Sequence, residues 1–241
     1  MQTCGIRTPY TGLVLAIPHA VGTPLLVDWS IDPDARKDAQ RWTDWFTDEL
    51  FTDRRDGVFV VSGKISRLEC DLERLEGEPD RLARFASFRC DGIAASLPAR
   101  FANAWLAQWF KYRWDLISAA AETERPLIVD CHSFPSDLAP DVDFCIGFND
   151  DASCPPDDVL ALVKDTFTSA GYAVAFNKPY ANAIAPVGYR GHSLMIEASK
   201  RTYLNDLENA KGPGFTRVHR VLGKLYGELL CGPSEMPVLH G

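Results

Sequence analysis

Two of the five histidines fall just past strongly apolar runs. Leu13-Val14-Leu15-Ala16-Ile17 leads into Pro18-His19, and Leu127-Ile128-Val129 leads into Asp130-Cys131-His132-Ser133. Continuous apolar runs of this length are the pattern of strands buried on both faces. In open α/β sheets ligands bind beyond the carboxyl ends of such strands, so both imidazoles are expected at one edge. Meeting there, they could share a divalent ion; each alone is equally satisfied as a hydrogen-bonded loop residue. Hydrolytic zinc sites take three protein ligands from His and Asp or Glu and leave one position for water. The third ligand would then be a carboxylate. Asp44 and Asp48, four apart in a helical pattern, share a face from which either could reach the sheet edge, although a chain with 24% charged residues also has many carboxylates for solvent.

Arg67 and Arg74 stand seven positions apart in Ser66-Arg67-Leu68-Glu69-Cys70-Asp71-Leu72-Glu73-Arg74. A guanidinium fork suits a planar carboxylate or a developing oxyanion; with Glu69, Asp71 and Glu73 the same arginines would instead form a surface ion network. Glu197 closes the run His192 to Ile196. Strand alternation puts Ser193, Met195 and Glu197 on one face and His192, Leu194 and Ile196 on the other. A carboxyl ending an apolar strand is costly to ionise without a partner, which moves its pKa toward the range of a general base. Cys131 adjoins His132 but points to the opposite face, the position of a buried inert thiol.

The elements that must carry these residues alternate along the chain. Strands are expected at Leu13–Ile17, Gly57–Val61, Pro126–Asp130, Val142–Phe148, Tyr172–Phe176 and His192–Ala198. A helix opens at Asp32-Pro33-Asp34, where Asp caps and Pro suits the first turn, and continues through Trp42, Trp45, Phe46 and Leu50. Phe101, Trp105, Trp109 and Tyr112 recur at helical spacing in a long amphipathic helix over 98–121 and read as core packing. Further helices are expected over 157–169 and 214–230, the last with Val218, Leu222, Leu225 and Leu229 on one stripe. Strands separated by such helices predict a mixed, largely parallel sheet with helices on both faces in a single domain over 1–241.

Composition narrows the function. The 241 residues are 46% hydrophobic and carry 25 basic against 33 acidic side chains, a net charge of −8. Such a chain has a core but lacks the basic surface that nucleic acid requires. No apolar run approaches a bilayer span, and the first is too short for the core of a signal peptide, so a cytoplasmic protein without a membrane partner is expected. The seven cysteines are odd in number and contain no C-x-x-C pair, which argues against a disulfide framework and a thiolate zinc cluster. A metal would be held by His and carboxylate.

Six segments in order give the chain a wider likeness: IPHAVG at 17–22, TDWFTDELF at 43–51, SRLECDLER at 66–74, DCHS at 130–133, NKPYANA at 177–183 and MIEASKRTYL at 195–204. Over about residues 13–205 the sequence resembles the N-formylglutamate amidohydrolases, or formylglutamate deformylases, whose fold and zinc site are similar to those of zinc carboxypeptidases and aspartoacylase. The resemblance implies that His19 and His132 bind zinc, with Asp48 favoured over Asp44 as third ligand. It implies that Glu197 is the catalytic carboxylate, that Arg67 polarises the substrate carbonyl, that Arg74 takes a substrate carboxylate and that Tyr180 lines the pocket. The implied reaction is hydrolysis of a small anionic N-acyl amino acid, first of all N-formyl-L-glutamate, with zinc or another divalent ion as cofactor.

Three positions depart from the family pattern. Val21 precedes Gly22 where PHAG is common, Glu73 stands where many relatives have Asn, and Lys200 stands where Arg is usual. Glu73 points toward a different N-acyl amino acid or a short peptide as an alternative substrate. A non-catalytic binding protein on the same scaffold is the other alternative, against which the intact His19, His132 and Glu197 speak. The sequence leaves the oligomeric state open.

Overall fold

The computed structural model describes residues 9–22, 40–67, 70–73, 102–206 and 209–231. Six strands, β1 (Gly12–Ile17), β2 (Val58–Ser62), β3 (Pro126–Phe134), β4 (Phe144–Gly147), β5 (Val174–Phe176) and β6 (His192–Ser199), form one sheet in the order β2-β1-β3-β6-β4-β5. All neighbours are parallel except β4 and β6, which run antiparallel. The mixed, mostly parallel α/β architecture expected from the alternation is therefore present.

The strands are apolar because both faces are covered. On one face Leu13, Leu15, Ile17, Val129, Leu194 and Ile196 pack under three helices: α1 (Thr47–Phe51), α3 (Asp157–Ser169) and α4 (Phe215–Cys231). The stripe expected on α4 is all there, with Val218, Leu222, Leu225 and Leu229 fully buried, each such side chain stabilising the fold by about 1.5–3 kcal/mol. On the other face Val14, Ala16 and Ile128 pack against Trp109, Tyr112, Leu116 and Ala120 of helix α2 (Ala102–Ala121). Phe101 and the side chain of Trp105 lie outside the described residues, as does the expected helix start at Asp32-Pro33-Asp34.

Two local differences from the expected elements govern the site. β3 runs on past Asp130 to Phe134, so Asp130 and His132 sit inside a strand and share a face. The helical pattern through Trp42 to Leu50 is broken: Phe46 adopts a left-handed backbone, φ 58°, and only Thr47 onward continues as α1. Asp44 thus lies before the helix and Asp48 in its first turn, and the common face expected for the two carboxylates does not exist.

Gly63 fixes the exit of β1. Its N–H donates to the Ile17 carbonyl over 2.8 Å, and a Cβ there would fall 2.0 Å from the Pro18 carbonyl oxygen. Only glycine lets the chain after β2 pass this close to the residue preceding His19. Among the described residues no helix is long and apolar enough to cross a membrane.

Candidate metal centre

His19 leaves the end of β1 and His132 projects from β3, and both rings are buried with centroids 5.0 Å apart. The convergence of these two imidazoles at the carboxyl edge of the sheet follows from the parallel pairing of β1 with β3. Each ring has two polar sides. His19 Nδ1 is 2.9 Å and His132 Nδ1 is 3.5 Å from the same Asp44 oxygen, Oδ2. On the opposite sides His19 Nε2 meets Asp71 Oδ1 at 3.0 Å, and His132 Nε2 meets Asp130 Oδ1 at 2.9 Å. Glu73 spans both, with Oε2 3.4 Å from His19 Nε2 and Oε1 2.8 Å from His132 Nε2.

The carboxylate facing the pair from the TDWFTDELF segment is thus Asp44, not the Asp48 favoured from sequence, which is exposed on α1. The reason is the Phe46 break, which turns Asp44 into the interior. Asp44 is held from two further sides: Ser133 Oγ donates to its Oδ1 over 3.1 Å, and Arg67 Nη1 lies 3.5 Å from Oδ2. Burial opposes its ionisation, but Arg67 and the hydrogen bonds from His132 and His19 outweigh that and hold its carboxyl well below the usual range. Glu73 is likewise opposed by burial and held down, at about 2, by His132 and His19. His132 shows the converse: burial disfavours its cation, yet Glu73, Asp130 and the Asp44 hydrogen bond raise it well above an ordinary histidine.

Four carboxylates around two imidazoles make a site that calls for positive charge, because buried anions need a counter-charge. Without an ion, a proton on His132 supplies part of it. A divalent ion supplies more. One ligand atom each from His19, Glu73 and His132 lie within 4.8 Å of one another, close enough to hold a metal ion. Asp44 offers a second carboxylate on the Nδ1 side. On the Nε2 side Asp71 and Asp130 match the carboxylates that commonly orient metal-binding histidines by accepting their other N–H.

Glu197 stands opposite His132 in the β3–β6 register and opposite Cys145 on β4. It is buried, and its Oε2 has no hydrogen-bond partner. Burial, reinforced by Asp44 and Glu73 against the opposing pull of His132 and Arg67, pushes its pKa up to about 8. Arg67 lies in the same charge cluster; burial opposes its cation, but Asp44, Asp71, Glu73 and Glu197 raise its pKa. Tyr180 is half-buried against Phe134, Cys145 and Met195, and its carbonyl accepts from Cys145 Sγ at 3.1 Å. Arg74 lies outside the described residues. Cys131 is buried on the opposite face, and burial first, then Asp130, pushes its thiol well up, as expected of an inert cysteine.

Sequence reasoning gave no role here to Asp130, and weighed Asp71 and Glu73 only as possible surface partners of arginine, with Glu73 also as a mark of altered substrate choice. A signal was available for each: Asp130 is two residues from His132 on a strand, and Asp71 and Glu73 flank one apolar residue that is itself core. Arg113 of α2 was also missed. Its Nη2 donates to the Glu73 carbonyl over 2.7 Å while its guanidinium packs over Trp109, 5.0 Å from the ring centroid.

The sequence model of the N-formylglutamate amidohydrolase family matches residues 11–204, which include every residue of this cluster. The chain belongs to that family. Two solved structures share the fold of this N-formylglutamate amidohydrolase family member. One is the N-formylglutamate amidohydrolase of Ralstonia eutropha JMP134, with a TM-score of 0.67 at 20% identity, covering 92% of this chain and 93% of that one. The other is a gene product of Agrobacterium tumefaciens, with a TM-score of 0.55 at 18% identity and 92% of each chain covered. None of the curated proteins matches the sequence.

Proposed function

We propose that the protein is a metal-dependent amidohydrolase, with zinc as the ion, that hydrolyses N-formyl-L-glutamate or a close N-acyl amino acid to the free acid and the amino acid. The observation that carries this reading is the convergence of His19 and His132 on Asp44, with the buried Glu197 beside His132 on the next strand. The residues fit a divalent ion by chemistry: His19, His132 and Asp44 would hold it on the Nδ1 side, with Asp71 and Asp130 orienting the rings. The spacing of His19, Glu73 and His132 makes Glu73 the alternative carboxylate ligand. A bound ion supplies Lewis acidity toward a water molecule and the acyl oxygen.

The chain's own groups supply the rest. Glu197 is poised near neutrality, so it takes a proton from the attacking water as the new C–O bond forms. It returns that proton to the amide nitrogen as the C–N bond breaks, leaving a neutral amine. Arg67 donates to the oxyanion that develops on the acyl carbon. Arg74 pairs with the substrate carboxylate and Tyr180 lines the pocket. The described cysteines, Cys70, Cys131, Cys145, Cys154 and Cys231, are all free thiols, which supports a cytoplasmic location.

The test joins metal analysis of purified protein to a formate-release assay on N-formyl-L-glutamate. Stoichiometric zinc with turnover that Glu197→Gln abolishes is expected; absence of metal together with no activation by added zinc overturns the reading. A second reading keeps the ion and changes the substrate. Glu73 favours it, since a carboxylate in contact with both histidines repels a second carboxylate on the substrate. Relative rates on formyl, acetyl and succinyl derivatives of Glu, Asp and neutral amino acids separate the two.

A further inference from the structure

A cavity of about 420 Å³ lies at the opposite edge of the sheet, where α2 ends and β3 and β6 begin. Its position is independent of the metal centre. Along β6, His192 lines the cavity and Glu197 reaches the site, five residues or about 16 Å of strand further on. The volume is that of a small-molecule pocket. Its walls are amphipathic. Ile117 and the rings of Tyr10 and Tyr189 give apolar surface, and these rings are locked in place: Tyr10 Oη hydrogen-bonds His192 Nδ1 at 2.8 Å, and Tyr189 Oη donates to the His192 carbonyl at 2.7 Å.

The polar groups are of both signs. Arg125 and Arg190, both exposed, line the cavity at the β3 and β6 entries, and exposed Glu124 lines it in the turn that follows α2. Arg125 is partly engaged, donating to the Pro9 carbonyl at 3.0 Å. Arg190 and Glu124, in contrast, have no hydrogen bond or ion pair among the described residues. A chain of net charge −8 thus concentrates two guanidiniums against one carboxylate at one apolar cavity. A carboxylate fits the arginine fork, and a cationic amine fits Glu124. The apolar walls ask for a hydrocarbon body between them.

We propose that this cavity is a second binding site, for a free α-amino acid with an apolar side chain, its carboxylate on Arg190 and Arg125 and its ammonium on Glu124. The site stands apart from the hydrolytic reading.

The test is calorimetric titration of full-length, metal-replete protein with L-leucine, with isocaproate, which lacks the amine, and with isoamylamine, which lacks the carboxylate. L-leucine is expected to bind best, and equally to the Glu197→Gln protein. Arg190→Glu should weaken it by about tenfold or more, and Glu124→Lys should weaken L-leucine but not isocaproate. Ala121→Trp, which fills the cavity, should abolish binding if Arg190→Glu fails to fold. The proposal is overturned if no ligand binds, if Arg190→Glu and Ala121→Trp both leave binding unchanged, or if binding is lost in Glu197→Gln, which would assign it to the metal centre. A self-association of the wild type that Arg190→Glu disrupts, without amino-acid binding, would also overturn it.

Discussion

At the scale of single residues, Asp44 and Glu73 are the carboxylates whose roles a pair of substitutions separates. Asp44 is shared by both Nδ1 atoms and held by Ser133 and Arg67, whereas Glu73 bridges the Nε2 atoms from a partly exposed position. Asp44→Asn is expected to lower zinc affinity by more than two orders of magnitude, on the scale of a lost ligand, and Glu73→Gln by about tenfold, on the scale of an outer partner. Equilibrium competition against a zinc chelator measures both, and the reverse ranking would make Glu73 the ligand. Glu197 gives a pH-dependent outcome. Its folded pKa of about 8 lies above its ordinary value of 4.5, so the metal-free native state keeps a proton that the unfolded chain releases. Stability therefore falls as pH rises from about 4.5 to about 8 and is flat beyond, by at most about 1.4 kcal/mol per pH unit. Glu197→Gln has no such decline. Denaturant unfolding of metal-free protein should show the variant gaining on wild type from pH 5.5 to pH 8; parallel profiles would contradict a buried, unpaired Glu197.

At the scale of elements, the site depends on two close approaches. Gly63→Ala would press a methyl into the Pro18 carbonyl and displace His19; it is expected to cost about 1–3 kcal/mol and to reduce bound zinc while the protein stays folded. Chemical denaturation and metal stoichiometry check the two halves of that outcome. Arg113 braces the short segment carrying Asp71 and Glu73 through the Glu73 carbonyl and its packing on Trp109. Arg113→Ala should weaken zinc binding by about tenfold with Arg113→Lys intermediate, as titration would record. The elements themselves were largely legible. β1, α3, β6 and α4 fall within about a residue of their expected bounds because long apolar runs and helical stripes report burial directly. The break at Phe46 was not legible: a left-handed phenylalanine has no compositional signature, and the spacing of Trp42, Trp45 and Leu50 continues through it as though the helix did.

At the scale of the whole molecule, the proposed ion would tie together segments that are remote in the chain, so its removal should be felt globally. An ion present at about a thousand times its dissociation constant adds about 4 kcal/mol to the folded state. Thermal unfolding with a chelator and with added zinc is expected to differ by several degrees, and coincident curves would deny the chain a structural dependence on the ion. The amino-acid sequence by itself determined the alternation of strands and helices, the placement of both histidines toward the carboxyl ends of buried apolar strands and the buried carboxyl of Glu197, because each is written in local periodicity. Only the tertiary structure decided that Asp44, not Asp48, meets the histidines, and that Asp71 and Glu73 close over them. Those contacts join positions far apart in the chain, and which carboxylate arrives is set by strand register and one reversed backbone angle, neither of which local sequence encodes.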